Sequence, residues 1–138
     1  MPSINSKYFN RMFQLEKQYS NRIHSMTGLH PCYVKDDFNE ELAKVLDQLK
    51  LRKFCAIGEI GIDLYWDKSF LKQQQEAFQK QIEMAISYQL PIVIHCREAF
   101  DEIFEILEQY QSQNLYGIFH CFSGSIQQAQ KVVSHNFK

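Results

Sequence analysis

Three apolar, β-rich runs along this chain each lead into a side chain that can hold a metal ion. They are Ala56-Ile57-Gly58-Glu59-Ile60-Gly61, Pro91-Ile92-Val93-Ile94-His95-Cys96-Arg97 and Gly117-Ile118-Phe119-His120-Cys121-Phe122. Strands that are apolar nearly throughout are buried on both faces, the pattern of parallel rather than antiparallel sheets. The segments between them carry helical periodicity, so strand and helix alternate. That alternation implies parallel pairing through right-handed crossovers. Functional groups in such sheets gather at the C-terminal strand ends, and Glu59, His95 and His120 are expected there. A carboxylate and two imidazoles arriving on successive strands is how a barrel builds a metal site.

The helices are read from spacing. Leu42, Val45, Leu46 and Leu49 recur at i, i+3, i+4 and i+7 and predict an amphipathic helix over 39–51. Phe78, Ile82, Ala85 and Ile86 predict a long helix over 69–89, with a polar face rich in Gln and Lys. Ala99, Ile103, Ile106, Leu107 and Tyr110 predict one over 98–111, and Phe9, Met12, Phe13 and Tyr19 one over 5–19. Ser125 offers an N-cap for a last helix through 133. Strands are expected over 23–29, 54–60, 91–95 and 117–122, and Pro91 is acceptable at a first strand position. A chain of 138 residues without repeat, linker or low-complexity tract reads as one α/β domain with a real core.

The net charge of −1 provides no global positive field, so any nucleic-acid contact must rest on a local basic patch or a metal ion. The first residues are polar, without the apolar core of a signal peptide. No apolar run approaches the length of a membrane span. No membrane partner and a cytoplasmic location are therefore expected. Cys32, Cys55, Cys96 and Cys121 form no Cys-x-x-Cys pair and are expected to be reduced and buried.

Glu59 lies in an apolar segment between Gly58 and Gly61, where an unpartnered carboxylate is costly. A divalent cation relieves that cost, and so does an Arg or Lys partner. His95 and His120 are each either a ligand or a hydrogen-bonded turn residue. Together with Glu59 they suit zinc, manganese or iron, and carboxylate plus water can also hold magnesium. Asp63 either orients a ligand histidine or caps a loop. Arg97 meets a substrate phosphate or a nearby acid such as Glu98 or Asp101. His30, in Gly28-Leu29-His30-Pro31, stands at another strand end and contacts substrate. Ser123 and Ser125 donate to a phosphate at the start of the last helix or serve as caps. Two adjacent metals would suit phosphodiester hydrolysis, although the ligands in view are too few for two complete sites.

Four stretches, in order, carry a resemblance: Thr27-Gly28-Leu29-His30-Pro31, Ala56-Ile57-Gly58-Glu59-Ile60-Gly61-Ile62-Asp63, Pro91-Ile92-Val93-Ile94-His95-Cys96-Arg97-Glu98-Ala99 and His120-Cys121-Phe122-Ser123-Gly124-Ser125. Over essentially its whole length the chain resembles the TatD family of metal-dependent hydrolases, best known as deoxyribonucleases. Gln75, Phe78 and Pro91 also fall where that family has such residues. The resemblance implies a (β/α)₈ TIM barrel with up to two divalent ions (Mg, Mn or Zn) at its C-terminal mouth. The implied chemistry is hydrolysis of DNA phosphodiesters from the 3′ end by metal-activated water. Carried over by position, it implies Glu59 as the catalytic, metal-bridging carboxylate and His95 and His120 as ligands of one metal. It places His30, Asp63 and Arg97 on the substrate side.

The chain also departs from the family. The family's opening Asp-x-His-x-His strand and its late Glu-Thr-Asp-x-Pro segment have no counterpart here, and Cys32 stands where the family often has histidine. The expectation is a single incomplete TIM-barrel domain over 1–138, about strands three to six with their helices, with Met1 in the loop after the second strand. Such a fragment would be a poor enzyme by itself, and its open sheet edges would invite pairing with another copy. Two readings compete with DNA hydrolysis. One is cleavage of RNA or of another ester, such as an aminoacyl-tRNA ester, at the same site. The other is a non-catalytic half-barrel interaction module.

Overall fold

The computed structural model describes residues 1–138. Strands β1 (Ile57–Asp63), β2 (Ile92–Arg97) and β3 (Gly117–His120) pair in parallel, side by side in chain order. Helices α1 (Phe9–Gln18) and α2 (Phe38–Leu51) precede the sheet, α3 (Leu71–Tyr88) and α4 (Phe100–Glu108) make the two crossovers, and α5 (Ile126–Ser134) follows β3. The expected alternation and parallel pairing are present. Parallel pairing continues past both sides: Pro2 bridges Met26, Thr27 bridges Ile57, and Gly117 bridges Phe137. The strand expected over 23–29 is thus reduced to bridges at Met26 and Thr27. Met1, expected in a loop, precedes a paired edge, where the Ser3 N–H donates to Met26 O at 3.1 Å.

Side chains alternate between two unlike faces. Ile57, Ile60, Ile62, Ile92, Ile94, Cys96 and Phe119 enter one core with Phe9 and Met12, Val45 and Leu49, Phe78 and Ile82, Ile103 and Phe104, and Val132. All five helices therefore pack on the same face of the sheet. Burying each of those isoleucines contributes about 1.5–3 kcal/mol. Glu59, Val93, His95, Arg97, Ile118 and His120 belong to the other face. The register explains how Glu59 reaches it. Gly58 pairs with Val93 and Ile60 with Ile94, so Glu59 is the extra residue of a bulge and escapes the alternation.

Two of the three expected strand-end ligands lie inside strands. β1 continues to Asp63 and β2 to Arg97, which leaves Glu59 and His95 internal, while His120 closes β3. Gly61 makes the continuation of β1 possible. At φ +136° it passes so close to β2 that a Cβ there would sit 2.1 Å from the His95 carbonyl oxygen. Beyond it Ile62 is fully buried and keeps the strand paired. The cysteines also depart from expectation. All four are free, but only Cys96 is buried; Cys55 and Cys121 are exposed because they flank strands rather than lie in them. No helix is long and apolar enough to cross a membrane.

α3 is not simply polar on its Gln-rich side. Gln74 and Gln81, two turns apart, are 3% and 1% exposed. Gln81 Oε1 accepts the Leu29 N–H at 2.7 Å, and its Nε2 donates to Leu29 O at 3.2 Å and to Ala77 O at 3.1 Å. Gln74 repeats the pattern on Asp63, accepting its N–H at 2.8 Å and donating to its carbonyl at 3.2 Å. Each amide replaces a missing strand partner at a point where sheet pairing stops, as buried backbone requires. Gln81→Leu leaves both backbone groups of Leu29 unpaired and is expected to destabilise the fold by about 2–4 kcal/mol. The check is a lower urea midpoint at unchanged m-value, beside Gln79→Leu, whose amide makes only an exposed bond to Gln109 and which should shift stability by less than about 0.5 kcal/mol.

Candidate metal centre

Glu59 is the hub of the open face. Its Oε2 lies 3.4 Å from His120 Nδ1 and 4.0 Å from His30 Nε2. Donors each about 2.1 Å from one ion stand roughly 3–3.4 Å apart across it. Glu59 and His120 are thus already at chelating separation, and the carboxylate–imidazole donor set fits a divalent cation. The fit comes from side chains of two strands reaching toward each other on the open face across β2, one from the bulge of β1 and one from the last residue of β3.

His95 is one step removed. Its Nε2 lies 2.8 Å from Asp63 Oδ2 rather than beside Glu59. A carboxylate acceptor draws the ring proton to Nε2 and leaves Nδ1 with a free lone pair, the usual arrangement behind a metal-bound histidine. The His95 and His30 ring centroids are 4.4 Å apart. His30 Nδ1 accepts the Cys32 N–H at 3.2 Å, so its own proton sits on Nε2, facing Glu59. His30 therefore presents a donor, the chemistry of a contact to substrate oxygen. The structure brings Glu59, His120 and His30 together directly and ties in His95 through His30 and Asp63. His30, Cys32 and His95 also offer ligand atoms within 4.8 Å of one another, a grouping that sequence reading did not single out.

Asp63 both holds the His95 ring and caps the turn that follows β1. Oδ2 takes His95 and faces the Cys32 thiol at 3.5 Å, while Oδ1 accepts the N–H groups of Tyr65 at 3.0 Å and Trp66 at 3.4 Å. At 2% exposure, its carboxylate is committed to the protein interior. Arg97 stacks on aromatic rings, with its guanidinium 3.6 Å from the Tyr65 centroid and 5.5 Å from that of Trp66. It lines a cavity of about 360 Å³ with Tyr65, Ser123 and Ser125. Ser125 caps α5: its Oγ accepts the Gln128 N–H at 3.2 Å and the Gln128 side chain accepts the Ser125 N–H at 2.8 Å. Directly after β2 and β3 the chain turns through left-handed non-glycine residues, Glu98 at φ 52° and Cys121 at φ 49°. Each such turn costs about 1–2 kcal/mol, local strain of a kind that clusters at functional sites.

Burial, reinforced by His95, holds His30 down to about 4 against an opposing pull from Asp63. Burial also acts to raise the Asp63 carboxyl, but the bonds from His95, Tyr65 and Trp66 outweigh it and the net shift is downward. Burial, then Asp63, pushes the Cys32 thiol up to about 11. Near neutral pH His30 is therefore neutral, Asp63 ionised and Cys32 protonated.

These shifts carry a sign for stability. The folded-state value of His30 lies below its ordinary 6.5, so between about 6.5 and about 4 the unfolded chain binds the extra proton. Stability from burying neutral His30 is complete above that window and is lost as pH falls through it. The depressed Asp63 carboxyl extends the loss to lower pH. In His30→Asn the slope of unfolding free energy against pH within this window should shrink by up to one proton, as read from urea denaturation at a series of pH values.

Comparison with known proteins gives a consistent picture. The family model described as TatD related DNase matches residues 1–138. A Bacillus subtilis (strain 168) protein named uncharacterized metal-dependent hydrolase YabD is 36% identical over 127 residues, covering 92% of this chain and 49% of its own length. The 3′-5′ ssDNA/RNA exonuclease TatD of Pantoea sp. (strain At-9b) is 35% identical over 102 residues, covering 73% of this chain and 39% of its own. Among solved structures, YjjV, a TatD homologue from Escherichia coli K12, superposes with a TM-score of 0.90 at 30% identity, over 100% of this chain and 53% of that one. The chain spans about half the length of these relatives.

Proposed function

The chain belongs to the TatD related DNase family, and on that premise we propose that it forms the metal-binding middle of a (β/α)₈ barrel that hydrolyses nucleic-acid phosphodiesters from the 3′ end. The observation that carries this reading is Glu59 Oε2 poised between His120 and His30 at 3.4 and 4.0 Å. Three parallel strands joined by crossover helices support the barrel. So does the open face, where Ile118 is left 42% exposed, as an apolar strand residue is when its covering strands are elsewhere. The activity named for the Pantoea relative supports single-stranded DNA or RNA as substrate.

A bound divalent cation would supply Lewis acidity toward water and a phosphoryl oxygen. Glu59 and His120 would hold it, and His95, whose Nε2 is taken by Asp63, would have Nδ1 free to join them. Asp63 acts as a positioning residue: it fixes the tautomer and orientation of His95 and reaches substrate only through its neighbours. His30, neutral near pH 7, donates from Nε2 to a phosphoryl oxygen. Arg97, braced against Tyr65, takes the charge of a phosphate in the adjoining cavity.

Metal binding to the folded chain raises its melting temperature by mass action, about 2.7 kcal/mol of stabilisation at a hundredfold excess over Kd. Mn²⁺ or Zn²⁺ should shift the melt of the parent chain, should not shift Glu59→Ala, and should still shift most of the way in His30→Ala. A full shift in Glu59→Ala would remove the carboxylate from the centre and with it this reading. Metal-dependent shortening of a 5′-labelled single-stranded oligonucleotide, lost in Glu59→Ala, is the matching activity assay.

A further inference from the structure

The least expected surface residue is Trp66. Its indole is 71% exposed, beside Tyr65 at 49%. The two rings meet edge to face, 4.8 Å between centroids at 87°, and the Arg97 guanidinium lies 3.6 Å from the Tyr65 centroid. Rings left open to water beside a cation are a recurring means of holding single-stranded nucleic acid, because any base can stack on them and the cation meets the backbone.

Their placement is set by the site. The backbone N–H groups of Tyr65 and Trp66 donate to Asp63 Oδ1, and the other oxygen of the same carboxylate holds His95. One buried anion thus fixes the distance between the candidate metal ligand and the aromatic pair. Arg97, stacked on Tyr65, opens onto the cavity that Glu98, Ser123 and Ser125 also line, where a phosphate would face both a guanidinium and the first turn of α5.

We infer that Trp66 and Tyr65, braced by Arg97, form a platform on which a base near the scissile end of a single-stranded nucleic acid stacks. The inference rests on the hydrolase reading above and adds how the substrate strand is gripped: through base faces, without sequence readout, and with the phosphate next to the stacked base on Arg97.

Trp66 is the sole tryptophan, so the chain carries its own reporter. With metal chelated to prevent cleavage, adding a single-stranded oligodeoxynucleotide should quench its emission saturably. An abasic strand of the same length should bind with little quenching. By anisotropy of a dye-labelled strand, Trp66→Ala should bind roughly fivefold to 150-fold more weakly, and Trp66→Phe should recover much of the loss. Arg97→Met should weaken binding and lower the salt slope by about one. At 71% exposure, Trp66 can be replaced without disturbing the core. Equal quenching by the abasic strand, or unchanged affinity in Trp66→Ala, overturns the platform. If the parent cleaves oligonucleotides with Mn²⁺ while Trp66 emission stays constant on binding, the platform falls and the hydrolase reading stands. If it neither binds nor cleaves them, the hydrolase reading falls and the platform with it.

Discussion

One buried carboxylate organises the functional end of this molecule. Asp63 ends β1 with four groups on its two oxygens: the His95 ring, the Cys32 thiol and two backbone N–H groups of the following turn. Its own backbone is closed by Gln74 from α3. A buried anion is tolerable only when it is fully hydrogen-bonded, and here each bond that stabilises it also positions something else. His95 acquires its tautomer, Cys32 stays protonated, and Tyr65 and Trp66 are held at the rim. Removing the charge would loosen all of these at once.

The second organising constraint is the division of the sheet into two unlike faces. Isoleucines from β1 and β2 lock every helix onto one side, and the other side carries Glu59, His95 and His120. Alternation alone would have put Glu59 with the isoleucines. The bulge between Gly58 and Ile60 shifts the register by one residue and moves the carboxylate to the face shared with His95 and His120. Gly61 permits the close approach of β1 and β2 that follows, since any side chain there would collide with the His95 backbone.

Much of this was legible in the chain. The apolar runs at 56–61, 91–97 and 117–122 mark the parallel strands, although the rule behind that reading, burial on both faces, does not hold in β3, where Ile118 is 42% exposed. The spacing of Leu42, Val45, Leu46 and Leu49 specifies α2, and Ser125 marks the start of α5. What misled was local signal with tertiary causes. The predicted strand ends at residues 60 and 95 fall short of Asp63 and Arg97, because continuation through Gly61 and Cys96 depends on pairing with a neighbour. The glutamines of α3 looked like a solvated face because Gln74 and Gln81 are polar. Their burial makes sense only once Leu29 and Asp63, distant in sequence, arrive with unpaired backbone groups.

The sequence by itself determined the class of the fold, the alternation of strands with helices, and the candidate site residues: Glu59, His95, His120, His30, Asp63 and Arg97. These follow from hydrophobic periodicity and from side-chain chemistry, which are local properties of the chain. Only the tertiary structure decided how the inventory is wired. It set Glu59 against His120 and His30, gave His95 to Asp63, and laid Arg97 on Tyr65 beside an exposed Trp66. Those pairings depend on strand register and on a one-residue bulge, and a shift of a single residue in register reverses which face every side chain occupies.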